Sequence, residues 1–263
     1  MKSGGDILPL FRFSSLKMSL YLDGTAANVY TVYIRENLSA GGVSAPRGQS
    51  QKGNRHMKNI VVLVSGGGTN LQALLDAEKR GELGPGHISC VISSSPTAYA
   101  LTRAADAGVK TRVLPKKGVD RETYTARMVE ALREEEADLV ILAGFMVILG
   151  PALPAAYPNA VLNVHPALIP SFCGPGYYGL HVHEAVLAAG VKVTGATVHF
   201  VNEVCDGGPI ILQGTVPVEN DDTPETLQRR VMEQVEWKLL PKAARLFCEG
   251  KIRVENGIAK VYE

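Results

Sequence analysis

Three polar residues of the types that stabilise an oxyanion occur near tight turns in this sequence. Asn163 and His165 are separated by one residue, and Asp206 precedes a pair of glycines. An amide and a protonated imidazole can donate hydrogen bonds to a developing oxyanion, and a carboxylate can orient the imidazole. None of the three is a nucleophile. If they converge, they indicate acyl transfer in which the substrate supplies the attacking group.

These residues are positioned by a strand that the sequence predicts over residues 160–164. Alternate residues of a strand face one side of a sheet, so Asn163 and His165 can point into one cleft. Open α/β sheets bind ligands at the carboxyl ends of their strands, which is where Asn163 lies. Asp206 is expected to raise the pKa of His165 and to orient its ring. Each residue alone is better explained as a capping amide, a core histidine or an Asx turn, but together they favour function.

The scaffold is an alternation of strand and helix patterns that begins near residue 57. Continuous apolar runs predict buried parallel strands, and apolar residues every three or four positions predict helices. Strands are expected at residues 59–64, 87–92, 109–114, 139–143 and 160–164, and helices at 70–80, 99–107 and 121–135. This order predicts an α/β fold with a doubly wound, mostly parallel sheet.

The pattern changes after residue 166. Residues 193–201 alternate as in an antiparallel strand, and residues 209–218 can pair with them. Thr223 is expected to cap a long helix that ends near Phe247, before Gly250. The Asn256-Gly257 pair predicts a terminal hairpin. One domain is therefore expected over residues 57–263.

A second candidate site is the glycine turn at residues 65–71, between the first strand and the first helix. Glycines let the backbone approach an anion, and the first helical N–H groups favour phosphate. No Lys-Ser/Thr pair follows the glycines, which excludes a P-loop, and Leu71 stands where a dinucleotide motif needs its third glycine. A monophosphate therefore fits better than NAD, and a tight turn without a ligand is the alternative.

Composition limits the class of protein. The chain has 263 residues, 46% of them apolar, and a formal net charge of +1, which gives no reason to expect nucleic acid or a membrane as partner. Residues 139–157 are uncharged, but glycines and prolines interrupt them, so a buried strand and loop are expected there.

Four scattered cysteines indicate reduced thiols and a cytoplasmic location. His181 and His183 alternate without a third ligand, so no metal is expected.

Residues 1–56 differ in composition from the rest of the chain. They contain seven Lys/Arg against three Asp/Glu and show no sustained apolar period. The excess of basic residues weakly suggests a transit peptide, but the segment has no convincing amphipathic helix. We expect a disordered extension, or sequence upstream of a true start at Met57.

Four segments together resemble the phosphoribosylglycinamide formyltransferase family. They are residues 65–70 (SGGGTN), 143–146 (AGFM), 163–166 (NVHP) and 206–209 (DGGP), and the resemblance covers residues 57–263. It implies a Rossmann-like formyltransferase fold. The implied reaction transfers a formyl group from the co-substrate 10-formyltetrahydrofolate to the amine of glycinamide ribonucleotide, in purine biosynthesis. Both partners are small molecules, and a monomer or homodimer is expected.

The resemblance also implies roles for individual residues. Asn163, His165 and Asp206 would be catalytic, with a water near Asp206 that moves the proton. The residues implied to contact the nucleotide are Gly68, Thr69 and Asn70, at its phosphate, and Glu236. The residues implied to line the folate pocket are Arg121, Met146, Val147, Ile148, Leu149 and Asn163.

Two features depart from the family pattern. Val147 stands where many relatives carry Arg, so main-chain contacts to the folate are expected there. Residues 170–179 form a longer loop than in some relatives. Their glycines and paired tyrosines suggest a mobile flap over the substrates, and a rigid surface loop is the alternative.

Competing functions share parts of this pattern. Formyltetrahydrofolate hydrolase is similar in fold and triad, but it favours a second histidine where this chain has Pro166. Methionyl-tRNA formyltransferase needs an additional C-terminal RNA-binding domain beyond Glu263. From another class, a catalytically inactive folate- or nucleotide-binding module remains an alternative.

Overall fold

A computed structural model of the chain describes residues 57–262 and two strands of the N-terminal segment, β1 (Lys17–Tyr21) and β2 (Tyr30–Ile34). These two strands pair in antiparallel fashion, which the sequence does not predict. The rest of residues 1–56 lies outside the described residues. The interpretation of that segment as a disordered extension, or as sequence upstream of Met57, therefore stays a prediction.

The main unit contains one seven-stranded sheet. Its strands are β3 (Lys58–Val64), β4 (Gly86–Ser93), β5 (Lys110–Val113), β6 (Leu139–Leu142), β7 (Val161–His165), β8 (Val193–Phe200) and β9 (Ile210–Pro217). The spatial order is β5-β4-β3-β6-β7-β8-β9. The first five strands pair in parallel, β8 is antiparallel to β7, and β9 is antiparallel to β8. The α/β fold, its mostly parallel sheet and its antiparallel C-terminal strands are confirmed.

Helices cover both faces of the sheet, as a doubly wound fold requires. Those before β7 are α1 (Thr69–Lys79), α2 (Tyr99–Asp106), α3 (Arg121–Glu134) and α4 (Ala152–Ala156), and α5 (Leu180–Ala188) follows β7. In β3, Ile60 and Val62 belong to one apolar cluster, whereas Val61 and Leu63 belong to the other. Residues 60–64 of this strand are therefore all apolar because both faces of the strand are buried there.

The C-terminal helix is less regular than the sequence predicts. Thr223 caps α6 (Pro224–Val231), as expected, and accepts a hydrogen bond from the N–H of Thr226. A π-helical segment, Met232–Glu236, then separates α6 from α7 (Trp237–Cys248). The predicted long helix is therefore confirmed as far as Cys248, but the turn of it that carries Glu236 is π-helical.

The chain ends in the expected hairpin, β10 (Ile252–Glu255) and β11 (Ile258–Val261). Its turn residues Asn256 and Gly257 have φ of 51° and 77°, the left-handed pair that a type I′ turn needs.

The uncharged stretch at residues 139–157 forms β6, a loop and the short α4. Within the described part of the chain, no helix has the length and apolar character needed to cross a membrane.

Candidate active site

The structure brings Asn163, His165 and Asp206 together. Asn163 and His165 lie on β7, and Asp206 lies in the loop between β8 and β9. Asn163 Nδ2 donates to Asp206 Oδ1 over 3.4 Å, and His165 Nδ1 lies 3.5 Å from Asp206 Oδ2. The imidazole and the carboxylate are largely buried, with 5% and 10% of their side chains exposed. An amide, an imidazole and a carboxylate thus share one site at the carboxyl end of β7.

The loop that carries Asp206 depends on the glycine pair after it. Asp206 itself has a φ of 54°, a left-handed conformation that aspartate tolerates better than most residues. A Cβ at Gly208 would lie 1.8 Å from the carbonyl oxygen of Phe200. Any other residue at position 208 would therefore push the loop away from β8 and move the carboxylate out of the site.

Asp206 is held in its ionised form. Its burial would raise the pKa, but the hydrogen bond with His199, the charge of His165 and the N–H of Gly174 together lower the pKa below its usual value. Gly174 donates to Asp206 Oδ2 over 2.9 Å. A carboxylate in this site is therefore available to accept a proton through water or to stabilise an imidazolium.

Burial has the largest effect on the pKa of His165 and lowers it, although Asp206 raises this pKa as predicted. Burial lowers this pKa below its ordinary value of 6.5, and the attraction of Asp206 only partly offsets the burial. His165 Nε2 donates to the carbonyl oxygen of Phe172 over 2.8 Å. The lowered pKa favours the neutral ring, and the bond to the Phe172 carbonyl places a proton on Nε2.

His199 is a site residue that sequence reasoning missed. It lies on β8 directly opposite Asn163, and its Nε2 is 3.2 Å from Asn163 Nδ2 and 3.7 Å from Asp206 Oδ1. Its Nδ1 donates to the carbonyl oxygen of Phe200 over 2.8 Å, and its Nε2 faces both Asn163 and Asp206. His199 therefore belongs to the same polar network as the other three residues. The alternation of residues 193–201 places His199 on a definite face, but only the strand register shows its partner.

The loop at residues 170–179 contacts the site through its backbone. Besides the contacts of the Phe172 carbonyl and the Gly174 N–H, Phe172 has a left-handed φ of 50°. Tyr177 and Tyr178 are 38% and 52% exposed. Residues 172–174 are thus attached to His165 and Asp206 by hydrogen bonds. Mobility of the whole loop as a flap stays a prediction.

Two of the cysteines that look scattered in the sequence lie beside Asp206. Cys205 Sγ is 3.8 Å from Asp206 Oδ2, and Cys173 precedes Gly174 in the loop that contacts the same oxygen. Burial and the negative charge of Asp206 raise the pKa of both thiols. Both therefore stay protonated at neutral pH, a poor state for a nucleophile.

The glycine turn lies at the carboxyl end of β3, and Gly68 precedes the first residue of α1. Thr69 Oγ1 donates to Met232 Sδ over 3.2 Å, and Asn70 Nδ2 donates to Glu236 Oε2 over 2.7 Å. Burial raises the pKa of Glu236, and the hydrogen bond from Asn70 only partly offsets this. The structure therefore places Glu236 beside the turn with which the resemblance groups it.

The residues implied for the folate pocket lie at the carboxyl end of β6 and the start of α3. Met146 and Ile148 are 57% and 63% exposed, whereas Val147 and Leu149 pack against an apolar core cluster. Val147 therefore points inward, which explains an apolar residue there. Arg121 begins α3 and lies next to Gly150, since a Cβ added to that glycine would be 3.6 Å from Arg121 Nε.

A serine pair connects the glycine turn to the folate segment. The N–H of Met146 donates to Ser65 Oγ over 2.9 Å, and Ser65 Oγ is 2.7 Å from Ser94 Oγ. The carboxyl ends of three neighbouring strands, β4, β3 and β6, are thus linked by side-chain hydrogen bonds.

The two alternating histidines of α5 diverge. His181 is exposed and lies 2.9 Å from Glu184, whereas His183 is fully buried and neither of its ring nitrogens has a hydrogen-bond partner in the described structure. Over the described residues, no group of three or more His, Cys, Asp or Glu side chains is arranged to hold a metal ion.

The fold and the site together define an α/β enzyme that can stabilise an oxyanion at the carboxyl ends of parallel strands. A family model described as formyl transferase matches residues 58–244. The chain belongs to this formyl transferase family.

Individual proteins are similar to this chain in sequence and in structure. The chain is 38% identical to phosphoribosylglycinamide formyltransferase of Haemophilus influenzae over 204 residues, which cover 77% of this chain and 93% of the relative. Its structure is similar to glycinamide ribonucleotide transformylase 1 from Symbiobacterium toebii, with a TM-score of 0.74 and 41% identity over 84% of this chain and all of the other. A formyltetrahydrofolate deformylase from Pseudomonas syringae is similar at a TM-score of 0.69 and 30% identity, over 78% of this chain and 66% of that protein.

Proposed function

We propose that this protein transfers the formyl group of 10-formyltetrahydrofolate to the amine of glycinamide ribonucleotide, a step of purine biosynthesis. The observation that carries the proposal is the meeting of Asn163, His165 and Asp206 at the sheet edge where a glycine turn suited to phosphate follows β3. The curated relative and the solved structure with the higher identities carry the name of this activity. A transferase of this kind needs no nucleophile of its own, because the amine of the substrate attacks.

The two substrates would occupy neighbouring strand ends. The nucleotide phosphate would bind at Gly68, Thr69 and Asn70, with Glu236 beside them. The folate would lie along the segment whose residues are Met146, Val147, Ile148 and Leu149, with Arg121 and Asn163 at its ends. Support comes from the exposure of Met146 and Ile148, which puts this segment at the protein surface.

The chemical step forms one bond and breaks another. The amine nitrogen of the nucleotide attacks the formyl carbon, and the bond from that carbon to N10 of the folate breaks. One proton must move from the attacking amine to N10. Asp206 supports this transfer because its lowered pKa keeps it ionised, so that a water next to it can pass the proton.

His165 would stabilise the oxyanion through its Nε2–H. At rest this group donates to the Phe172 carbonyl, which the formyl oxygen would replace as acceptor. Negative charge on that oxygen favours a second proton on Nδ1, which faces Asp206 at 3.5 Å. Asn163 would contribute its more weakly engaged N–H, the one at 3.4 Å from Asp206.

Hydrolysis of 10-formyltetrahydrofolate is the second candidate, favoured by the likeness to the solved deformylase. The residue after His165 argues against hydrolysis, since Pro166 stands where the resemblance expects a histidine in hydrolases. The lower identity to the deformylase also favours transfer. A cytoplasmic location, a monomeric or homodimeric state, and the independence from metal stay predictions.

The test is whether purified protein produces tetrahydrofolate from 10-formyltetrahydrofolate only when glycinamide ribonucleotide is present. Turnover without the nucleotide would establish the hydrolase, and binding of both substrates without turnover would establish an inactive module. Asp206→Asn is the matched control, because it keeps the shape of the side chain and removes the charge. It should abolish turnover in either enzyme.

A further variant tests direct transfer. If a thiol formed a formyl thioester, replacing Cys173 and Cys205 with serine would abolish activity. Direct attack by the amine predicts that kcat of this double variant stays within about threefold of the original. Loss of turnover by orders of magnitude would show that a cysteine takes the formyl group.

A further inference from the structure

The carbonyl groups of the glycine turn are bound by helix α2. The backbone N–H of Ala100 donates to the carbonyl oxygen of Gly66 over 3.0 Å. Arg103 Nε donates to the carbonyl oxygen of Gly67 over 2.9 Å. Two successive carbonyls of the turn therefore face α2, one bound by the backbone of this helix and the other by a side chain.

Because the peptide bond is planar, the positions of these two carbonyl groups fix the directions of the N–H groups that follow them. In a trans peptide the C=O and the following N–H point in opposite directions. The N–H groups of Gly67 and Gly68 therefore point away from α2. Over the described residues, neither N–H donates to another group of the turn, and Gly68 has a left-handed φ of 73°. Successive N–H groups directed this way form the concave surface that binds anions.

Arg103 is itself fixed in place. Its NH1 donates to Gln72 Oε1 over 2.9 Å, and its guanidinium lies 5.0 Å from the ring centre of Tyr99. The turn packs against α2 without spare room, since a Cβ at Gly68 would be 2.6 Å from the Cβ of Ala100. Two hydrogen bonds and a stacked ring thus hold a positive charge directly behind the turn.

We propose that Arg103 is a positioning residue for the phosphate of the nucleotide. It fixes the peptide between Gly67 and Gly68 so that the N–H of Gly68 faces the phosphate, and it places a positive charge behind that peptide. The inference rests on the proposed function. It adds two groups to the phosphate site named above: the N–H of Gly67 and the side chain of Arg103.

The experiment compares an Arg103 variant with the unchanged protein on two substrates, one with the phosphate and one without it. Arg103→Met keeps the length of the side chain and removes its charge and hydrogen bonds. Turnover is measured with glycinamide ribonucleotide and with the riboside that lacks the phosphate. With the ribonucleotide, KM should rise about 10- to 100-fold while kcat stays within about threefold, because the lost contacts act on binding. With the riboside, Arg103→Met and the unchanged protein should have the same kcat/KM.

Arg253→Met is the matched control. Arg253 also stacks on a tyrosine, at 5.6 Å from the ring of Tyr262, but it lies in the terminal hairpin. The control loses the same charge and a similar stack, so its KM for the ribonucleotide should stay unchanged.

An equal loss of kcat/KM with both substrates would overturn the inference, because Arg103 would then act on the fold and not on the phosphate. An unchanged KM for the ribonucleotide would overturn it as well. If Arg103→Met does not fold, Arg103→Lys, which keeps the charge without the two-point geometry, should show the same selective rise of KM. Absence of turnover by the unchanged protein would instead reject the proposed function.

Discussion

The buried ring of His183 determines how the stability of the protein should depend on pH. His183 lies on α5 with 0% exposure, and neither ring nitrogen has a hydrogen-bond partner in the described structure. Burial lowers its pKa from 6.5 to about 4, and repulsion from His165 acts in the same direction. The folded protein therefore contains this ring in its neutral form over the whole physiological range.

The sign and size of the effect follow from this pKa. Because the folded pKa is lower than the unfolded one, the unfolded chain binds the proton more tightly, and acid favours unfolding. The contribution of the neutral ring is complete above pH 6.5 and is lost as the pH falls toward 4. At about 1.4 kcal/mol per pKa unit, His183 alone should lower the free energy of unfolding by about 2 kcal/mol between pH 7 and about pH 5.

Denaturant unfolding of His183→Leu and of the unchanged protein, at both pH values, measures this loss. The variant should lose about 2 kcal/mol less on acidification, whatever its absolute stability at pH 7. His181→Leu is the matched control, because it removes an exposed histidine from the same helix. If His183→Leu loses as much stability as the unchanged protein, the ring is not the titrating group and the reasoning is refuted.

Three further substitutions have definite expected outcomes. His165→Ala should lower kcat by about 100- to 1000-fold, because it removes an oxyanion donor, while calorimetry finds nucleotide affinity unchanged; a large loss of affinity with kcat intact would contradict this role. Burial raises the pKa of Glu236, so its charge costs stability as the pH rises through that pKa. Glu236→Gln keeps an acceptor for Asn70 and should raise Tm at neutral pH, and a lower Tm would refute the assignment. Asp222 binds Arg230 at two points, 2.6 and 2.7 Å, with 2% and 14% of the two side chains exposed. Asp222→Ala should cost about 3 kcal/mol in denaturant unfolding, and a cost below about 1 kcal/mol would show that solvent screens the pair.

The sequence predicts the parallel strands well for a physical reason. Burial on both faces requires continuous apolar runs such as residues 60–64, and turn residues end each run. The position of Asn163 is also predictable, because parallel strands bring their carboxyl ends to one edge of the sheet. This rule does not place Asp206, which lies in the loop between the antiparallel strands β8 and β9.

What the sequence does not predict depends on contacts between distant segments. The pairing of Asn163 with His199 follows from the register between β7 and β8, which no local pattern specifies. The net pKa of His165 depends on how much of the ring the surrounding chain buries, and this outweighs the nearby carboxylate. No residue within the π-helical segment at Glu236 marks it in the sequence, although Pro241 lies inside the helix that follows.

The serine link among the ends of β4, β3 and β6 has a consequence for how the substrates meet. Adjacent strands lie about 4.8 Å apart, so the sheet itself fixes the spacing between the glycine turn after β3, residues 146–149 after β6 and Asn163 on β7. With the nucleotide and the folate bound as proposed, the entropic cost of aligning amine and formyl group is met largely when the chain folds.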